Sequence, residues 1–217
     1  MEIQRLETKY ENSPIIRALL QLIPCGIGSG IDTFIITTLN KMRTDRLEAF
    51  FDELSKGKLP DRNLVTEDYV HKFLLTMRYV LNTNRKEKIK MFAIIFRNSL
   101  YEKSELIDND VYEEFAKILD ELGYREIAAL KIYEILIADP KLENKDELGK
   151  AFKIWDEFVG QLEKELKVPK EQAQSFMLRI SRTGCYEEIV GGYTDYAGGK
   201  GKLTPLYFTL KKYVESQ

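Results

Sequence analysis

The sequence has little sulfur and almost no imidazole: two cysteines and one histidine in 217 residues. Cys25 and Cys185 stand far apart and outline no disulfide framework, and the absence of CxxC spacing argues against a zinc site. His71 is followed by Lys72 beside a strongly apolar helix face. With no serine or cysteine elbow in the chain, it reads as a surface or boundary residue rather than a general base. EF-hand spacing is missing as well. Paired carboxylates such as Glu113-Glu114, Asp120-Glu121 and Asp156-Glu157 are adjacent, so they diverge on a helix and read as a solvated acidic face. No catalytic constellation, metal site or cofactor is expected, and the chain is not expected to be an enzyme. A charge excess is lacking too. The net charge of −2 excludes a protein that coats nucleic acid indiscriminately. The start is charged and helical, unlike an export signal, so a reducing cytoplasm is the expected location.

What is present is an ordinary globular balance, 44% apolar and 31% charged residues, enough to build a core. The charge is unevenly distributed. Residues 1–40 carry −1, 41–104 carry +5, 105–160 carry −8 and 161–217 carry +2. A basic segment is followed by an acidic one, which could pair with it within the fold or across a homodimer.

Helical periodicity dominates up to about residue 183. Ile31, Phe34, Ile35, Leu39, Met42, Leu47, Phe50, Phe51 and Leu54 predict one helix, stopped by Gly57 and Pro60. Thr66 has the identity of an N-cap for a second, with Tyr69, Val70, Phe73, Leu74, Met77, Val80 and Leu81 on its apolar side. A third follows Asn84 and carries Ile89, Phe92, Ile95, Phe96 and Leu100. Two shorter helices flank Gly123, and the polar run from Asp139 to Lys145 reads as a linker. The next helix places Leu148, Phe152, Trp155, Val159, Leu162 and Leu166 near heptad spacing. On the basic third helix Lys86, Lys90 and Arg97 share a side, a candidate phosphate-contacting stripe on what is otherwise a solvated face.

The pattern changes after residue 167. A short helix (Ala173, Phe176, Met177, Ile180) ends at Thr183-Gly184. It is followed by an extended run from Cys185 to Val190, a glycine-punctuated turn from Gly191 to Gly201, and a short strand at Lys202-Leu203. Thr204-Pro205 then opens a terminal helix. The words "FMLRISRTGCYEEIV" and "GGKGKLTPLYFTLKKYV" resemble a winged-helix module: a recognition-type helix turned by Gly184 into a wing strand, and a returning strand closed at Leu203-Thr204. If that resemblance extends to DNA, it implies Lys170, Gln172, Gln174, Ser175, Arg179 and Arg182 as donors on the recognition helix, with Lys200 and Lys202 on the wing. Glu171, Glu187, Glu188 and Asp195 lie in the same module and weaken it as a DNA face. Winged helices also serve as protein-binding modules. Tyr186, Tyr193 and Tyr196 surround the wing, where packing against the terminal helix competes with stacking on bases.

Residues 14–40 hold only Arg17 and Asp32 as charges. Gly26, Gly28 and Gly30 lack the strand–turn–helix context and lysine of a phosphate loop. Each apolar arm is about half a bilayer span, so a membrane-inserting hairpin competes with a helical hairpin buried in a bundle, the reading adopted here. The words "IPCGIGSGID" and "RKEKIKMFAIIFRNSL" weakly resemble uncharacterised bacterial helical proteins found near mobile or phage-defence genes, which implies a stress or defence context.

The expected architecture is mainly α, with an N-terminal helical bundle over residues 1–122 and a winged-helix-like module with a small β-hairpin wing over 123–217. The expected function is a non-enzymatic regulator or adaptor whose C-terminal module contacts DNA or a protein partner. The alternative is a membrane-associated effector that uses the apolar hairpin 14–40.

Overall fold

The computed structural model describes residues 2–23, 33–59, 66–100, 109–189 and 198–215. The glycine cluster at 26–30, Pro24, Cys25, Pro60, Asp195, Tyr193 and Tyr196 lie outside the described residues. The protein is mainly α-helical with a small antiparallel hairpin near its C-terminus. Its helices are α1 (Glu2–Lys9), α2 (Pro14–Gln21), α3 (Thr33–Leu54), α4 (Glu67–Asn82), α5 (Lys86–Asn98), α6 (Asn109–Glu121), α7 (Tyr124–Ile137), α8 (Glu147–Leu166), α9 (Ala173–Ser181) and α10 (Pro205–Val214). Strands β1 (Tyr186–Glu188) and β2 (Gly201–Leu203) pair in the register Tyr186↔Leu203, Glu187↔Lys202 and Glu188↔Gly201. Two compact units result: Met1–Leu119 with Tyr213–Gln217, and Asp120–Lys212. The expected limits were 1–122 and 123–217, so the division falls three residues earlier and the last five residues group with the first unit.

The first unit is organised by phenylalanines that the 3.6-residue period brings to facing helices. Phe50 and Phe51 of α3, Phe73 of α4 and Phe96 of α5 are fully buried, with ring centroids 5.2–6.5 Å apart. Burying one such ring stabilises the fold by about 1.5–3 kcal/mol. Helix α2 starts at a proline, whose fixed φ suits the first turn, and buries Ile15, Ile16, Leu19 and Leu20. These four side chains thus belong to a core. No helix among the described residues is long and apolar enough to cross a membrane. Thr66 caps α4 by accepting from the Tyr69 amide at 3.4 Å.

Two sequence expectations shift here, and a third, the surface position of His71, holds. Leu39, Met42 and Leu74, assigned to apolar faces, are exposed. The end of the basic stripe is also covered. Lys86 and Lys90 face solvent, but α5 is enclosed from Phe92 to Arg97. There the Arg97 guanidinium donates to the Glu53 carbonyl at 3.2 Å, and its stem fills the space a Cβ at Gly57 would need. His71 sits on the surface and pairs with Glu113 at 2.7 Å.

The second unit is built around Tyr133 of α7. Its ring packs edge-on against Phe158 of α8 at 5.0 Å and Tyr186 of β1 at 5.4 Å, and its hydroxyl donates to the Gly201 carbonyl of β2. Tyr186 in turn donates to the Gly199 carbonyl at 2.9 Å. The hairpin is thus fastened to the helices by buried phenols, which need hydrogen-bond partners once desolvated. Gly184 (φ +75°) makes the left-handed turn from α9 into β1. Thr204 accepts from the Tyr207 amide to start α10 and donates to the Gly184 carbonyl.

The run from Asp139 to Lys145 is no linker. It forms a 3₁₀ turn, Pro140–Leu142, pinned by the buried Leu142. On α8 the buried face is Ala151, Ile154, Phe158 and Leu162. This stripe lies beside the heptad-like one expected from the sequence, so Phe152, Trp155 and Val159 remain partly exposed.

Candidate functional site: the helix–hairpin module of the second unit

Helix α9 presents Gln174, Ser175, Leu178 and Arg179 to solvent, because Ala173, Phe176, Met177 and Ile180 take its inner face, and Arg182 just past its end is exposed too. A 3₁₀ turn, Lys170–Gln172, precedes it. Gln172 is exposed, and its carbonyl accepts from the Ser175 hydroxyl at 3.2 Å. Gly198 and Gly199, both with φ +79°, bring the base of the hairpin onto Gln174. A Cβ on Gly199 would stand 3.1 Å from the Gln174 Cα.

Most of the cations expected to contact DNA or a partner have neighbours within the module. Arg179 Nε lies 2.5 Å from Glu126 Oε1 and its guanidinium carbon 5.2 Å from the Phe176 ring centroid. Lys202 pairs across the strands with Glu187 at 3.2 Å, as the register dictates. Lys170 approaches Glu163 at 3.7 Å. Lys200, expected to decorate the wing, is 8% exposed. Its ammonium lies 4.8 Å from the Phe152 ring centroid and 5.3 Å from that of Trp155. The displaced apolar stripe of α8 explains this: its two half-exposed rings offer π-faces to a cation and a surface to its methylene stem. Arg182 is exposed and has no ion-pair partner among the described residues.

Several residues that organise this site escaped sequence reasoning. Glu126, 5% exposed, receives the Gly123 amide at 2.6 Å on Oε2 while Oε1 holds Arg179. A glutamate three residues into a helix, reaching back to the N-cap amide, was the available signal. Glu134 accepts from Lys211 at 2.8 Å and from the Tyr207 hydroxyl at 2.9 Å, joining α7 to α10. Glu188, which the sequence shows only as a charge disfavouring DNA, receives the Gly199 amide at 2.6 Å.

Two concavities lie within this unit. One of about 490 Å³ is lined by Glu121, Gly123, Glu126, Arg179, Arg182 and Thr183. The other, of about 340 Å³, opens between α8, the 3₁₀ turn and the hairpin base, and includes Trp155, Val159, Asp156, Glu171 and Gln174. Among the described residues no group of three or more His, Cys, Asp or Glu side chains is placed to hold a metal ion. Cys185 is fully buried beside Thr183, and burial pushes its thiol pKa up.

No family model, curated protein or solved structure matches this chain.

Proposed function

We propose that the protein is a non-enzymatic adaptor whose winged-helix-like module binds a protein partner through the outer face of α9. The observation that carries this reading is Leu178. It is 54% exposed on that face, while Lys170, Arg179 and Lys202 are answered by carboxylates and Lys200 is covered by rings. An exposed apolar side chain beside two arginines joins buriable area to a residue type enriched at protein interfaces. A duplex-binding face needs cations that remain available to phosphates, and here Lys170, Arg179, Lys200 and Lys202 are each engaged. Arg182 alone supplies too little charge for tight duplex binding.

Two measurements test the proposal together. A photo-crosslinking residue placed at Leu178 in the native host should trap one discrete protein, whereas the same group at the exposed Lys153 should not. In parallel, fluorescence anisotropy with random duplex DNA across a salt series should show weak binding with a shallow salt slope. Tight, steeply salt-dependent binding that Arg182→Ala reduces would replace the adaptor reading with a DNA-binding one.

A further inference from the structure

The displaced apolar stripe of α8 leaves the chain's single tryptophan (Trp155) in the lining of the 340 Å³ cleft, together with Val159 and Gly198. Two carboxylates, Asp156 and Glu171, line the same cleft. Neither has a hydrogen-bond or ion-pair partner among the described residues. The remaining charge in the lining is Lys170, which approaches Glu163 at 3.7 Å. The indole already has a cation, since the Lys200 ammonium stands 5.3 Å from its centroid.

We propose that this cleft receives an arginine side chain from a partner protein. The guanidinium would lie against Trp155 and Val159 and pair with Asp156 and Glu171. The chemistry favours arginine over lysine on two counts. A planar guanidinium is more weakly hydrated than an ammonium, so it lies against an apolar wall at lower desolvation cost, and its five donors outnumber an ammonium's three. The Gln174 side chain adds a neutral acceptor in the same lining. The open, shallow shape fits a side chain presented by another chain better than a free metabolite, which pockets usually enclose far more completely. The inference deepens the adaptor reading, and its test is independent of it because the probe is a blocked amino acid rather than the partner.

The single tryptophan makes the test direct, because the indole N–H gives one cross-peak in a proton–nitrogen correlation spectrum. Titration with N-acetyl-arginine amide should move that peak along a saturable curve in the millimolar range. N-acetyl-glutamine amide should leave it in place, and N-acetyl-lysine amide should act more weakly than arginine. Asp156→Asn and Glu171→Gln should each weaken the arginine response by about threefold, as expected for exposed ion pairs. Both positions are solvent-facing, so the variants keep the fold, and unchanged dispersion elsewhere in the spectrum verifies this. A flat titration, an equal response to the glutamine probe, or a response indifferent to both substitutions would overturn the proposal. A flat titration combined with successful crosslinking at Leu178 would reject the arginine cleft and leave the adaptor intact.

Discussion

Arg179 Nε donates to Glu126 Oε1 at 2.5 Å, and the carboxylate that receives it is almost fully buried. Arg179, exposed on the outer face of α9, therefore also serves as counter-charge to a desolvated glutamate. Glu126 is satisfied on both oxygens, by Arg179 and by the Gly123 amide at 2.6 Å. To reach a phosphate, Arg179 would have to leave a carboxylate that water does not readily rehydrate.

This relationship predicts an asymmetry between Arg179 and Arg182. Arg179→Ala should lower stability by about 1–3 kcal/mol, because one oxygen of a buried carboxylate loses its partner. Arg182→Ala should change stability by less than about 0.5 kcal/mol, as substitutions at unpartnered surface positions do. Urea unfolding of the two variants distinguishes the cases. Equal, small effects would show that Glu126 hydrates readily and that Arg179 is free for a ligand.

The helices were legible because their apolar periods are long and capped. Thr66, Thr204 and the turn at Gly184 all do what their residue types predict. The site was legible only as a segment. Which face of α8 is buried could not be read from its sequence, where Phe152/Trp155/Val159 and Ala151/Ile154/Phe158 form neighbouring stripes of similar apolarity. The hairpin decides between them by placing Tyr186 against Tyr133, which in turn packs on Phe158. The partners of the lysines and arginines were hidden for a related reason. Glu126 lies 53 residues from Arg179, and no local spacing reports such a pair.

Lys200 tests the consequence of that choice of face. Lys200→Ala removes a buried stem and the cation over Phe152 and Trp155, and should cost about 1–2 kcal/mol. Lys200→Met keeps the stem and should recover part of the loss. Because Trp155 is the only tryptophan, its emission should change in both variants before any unfolding. Unaltered emission in Lys200→Ala would mean the ammonium does not rest on the indole.

Two glycines should respond to the same substitution with opposite signs. A Cβ on Gly201 would stand 2.1 Å from the Glu187 carbonyl oxygen and 2.7 Å from the Tyr186 ring, and the backbone of a paired strand cannot retreat. Gly201→Ala should therefore destabilise by about 2–4 kcal/mol. Gly160, within α8, has nothing within 4 Å of its Cβ position. Gly160→Ala should stabilise by about 0.5–1 kcal/mol by reducing the freedom of the unfolded chain and raising helix propensity. Thermal unfolding of the two variants, compared with the parent, reads both signs.

The polar cluster joining α1 to α3 sets a pH dependence for the first unit. Lys9 Nζ lies 2.7 Å from Glu48 and 2.9 Å from Asp52, and Tyr10 donates to Asp52 at 2.7 Å. The Lys9 hydrogen bond holds the Glu48 carboxyl below the usual range. For Asp52, burial pushes the pKa up, but hydrogen bonds from Tyr10 and Lys9 outweigh it and leave it lowered. A carboxylate whose folded pKa is depressed stabilises the fold above its unfolded pKa and loses that contribution as pH falls through the folded value. Stability should therefore decline as the solution is acidified below the ordinary carboxylate range. Lys9 runs the other way. Its pKa is raised, chiefly by the hydrogen bond to Glu48, so its contribution persists at neutral pH and is lost only as pH rises through that raised value. Denaturant midpoints of the parent and a Glu48→Gln/Asp52→Asn double variant, taken from neutral pH to about pH 3, check the acid limb. The double variant should begin less stable and lose less on acidification. Parallel curves would show that these exposed pairs are screened to insignificance and that the acid sensitivity resides elsewhere in the chain.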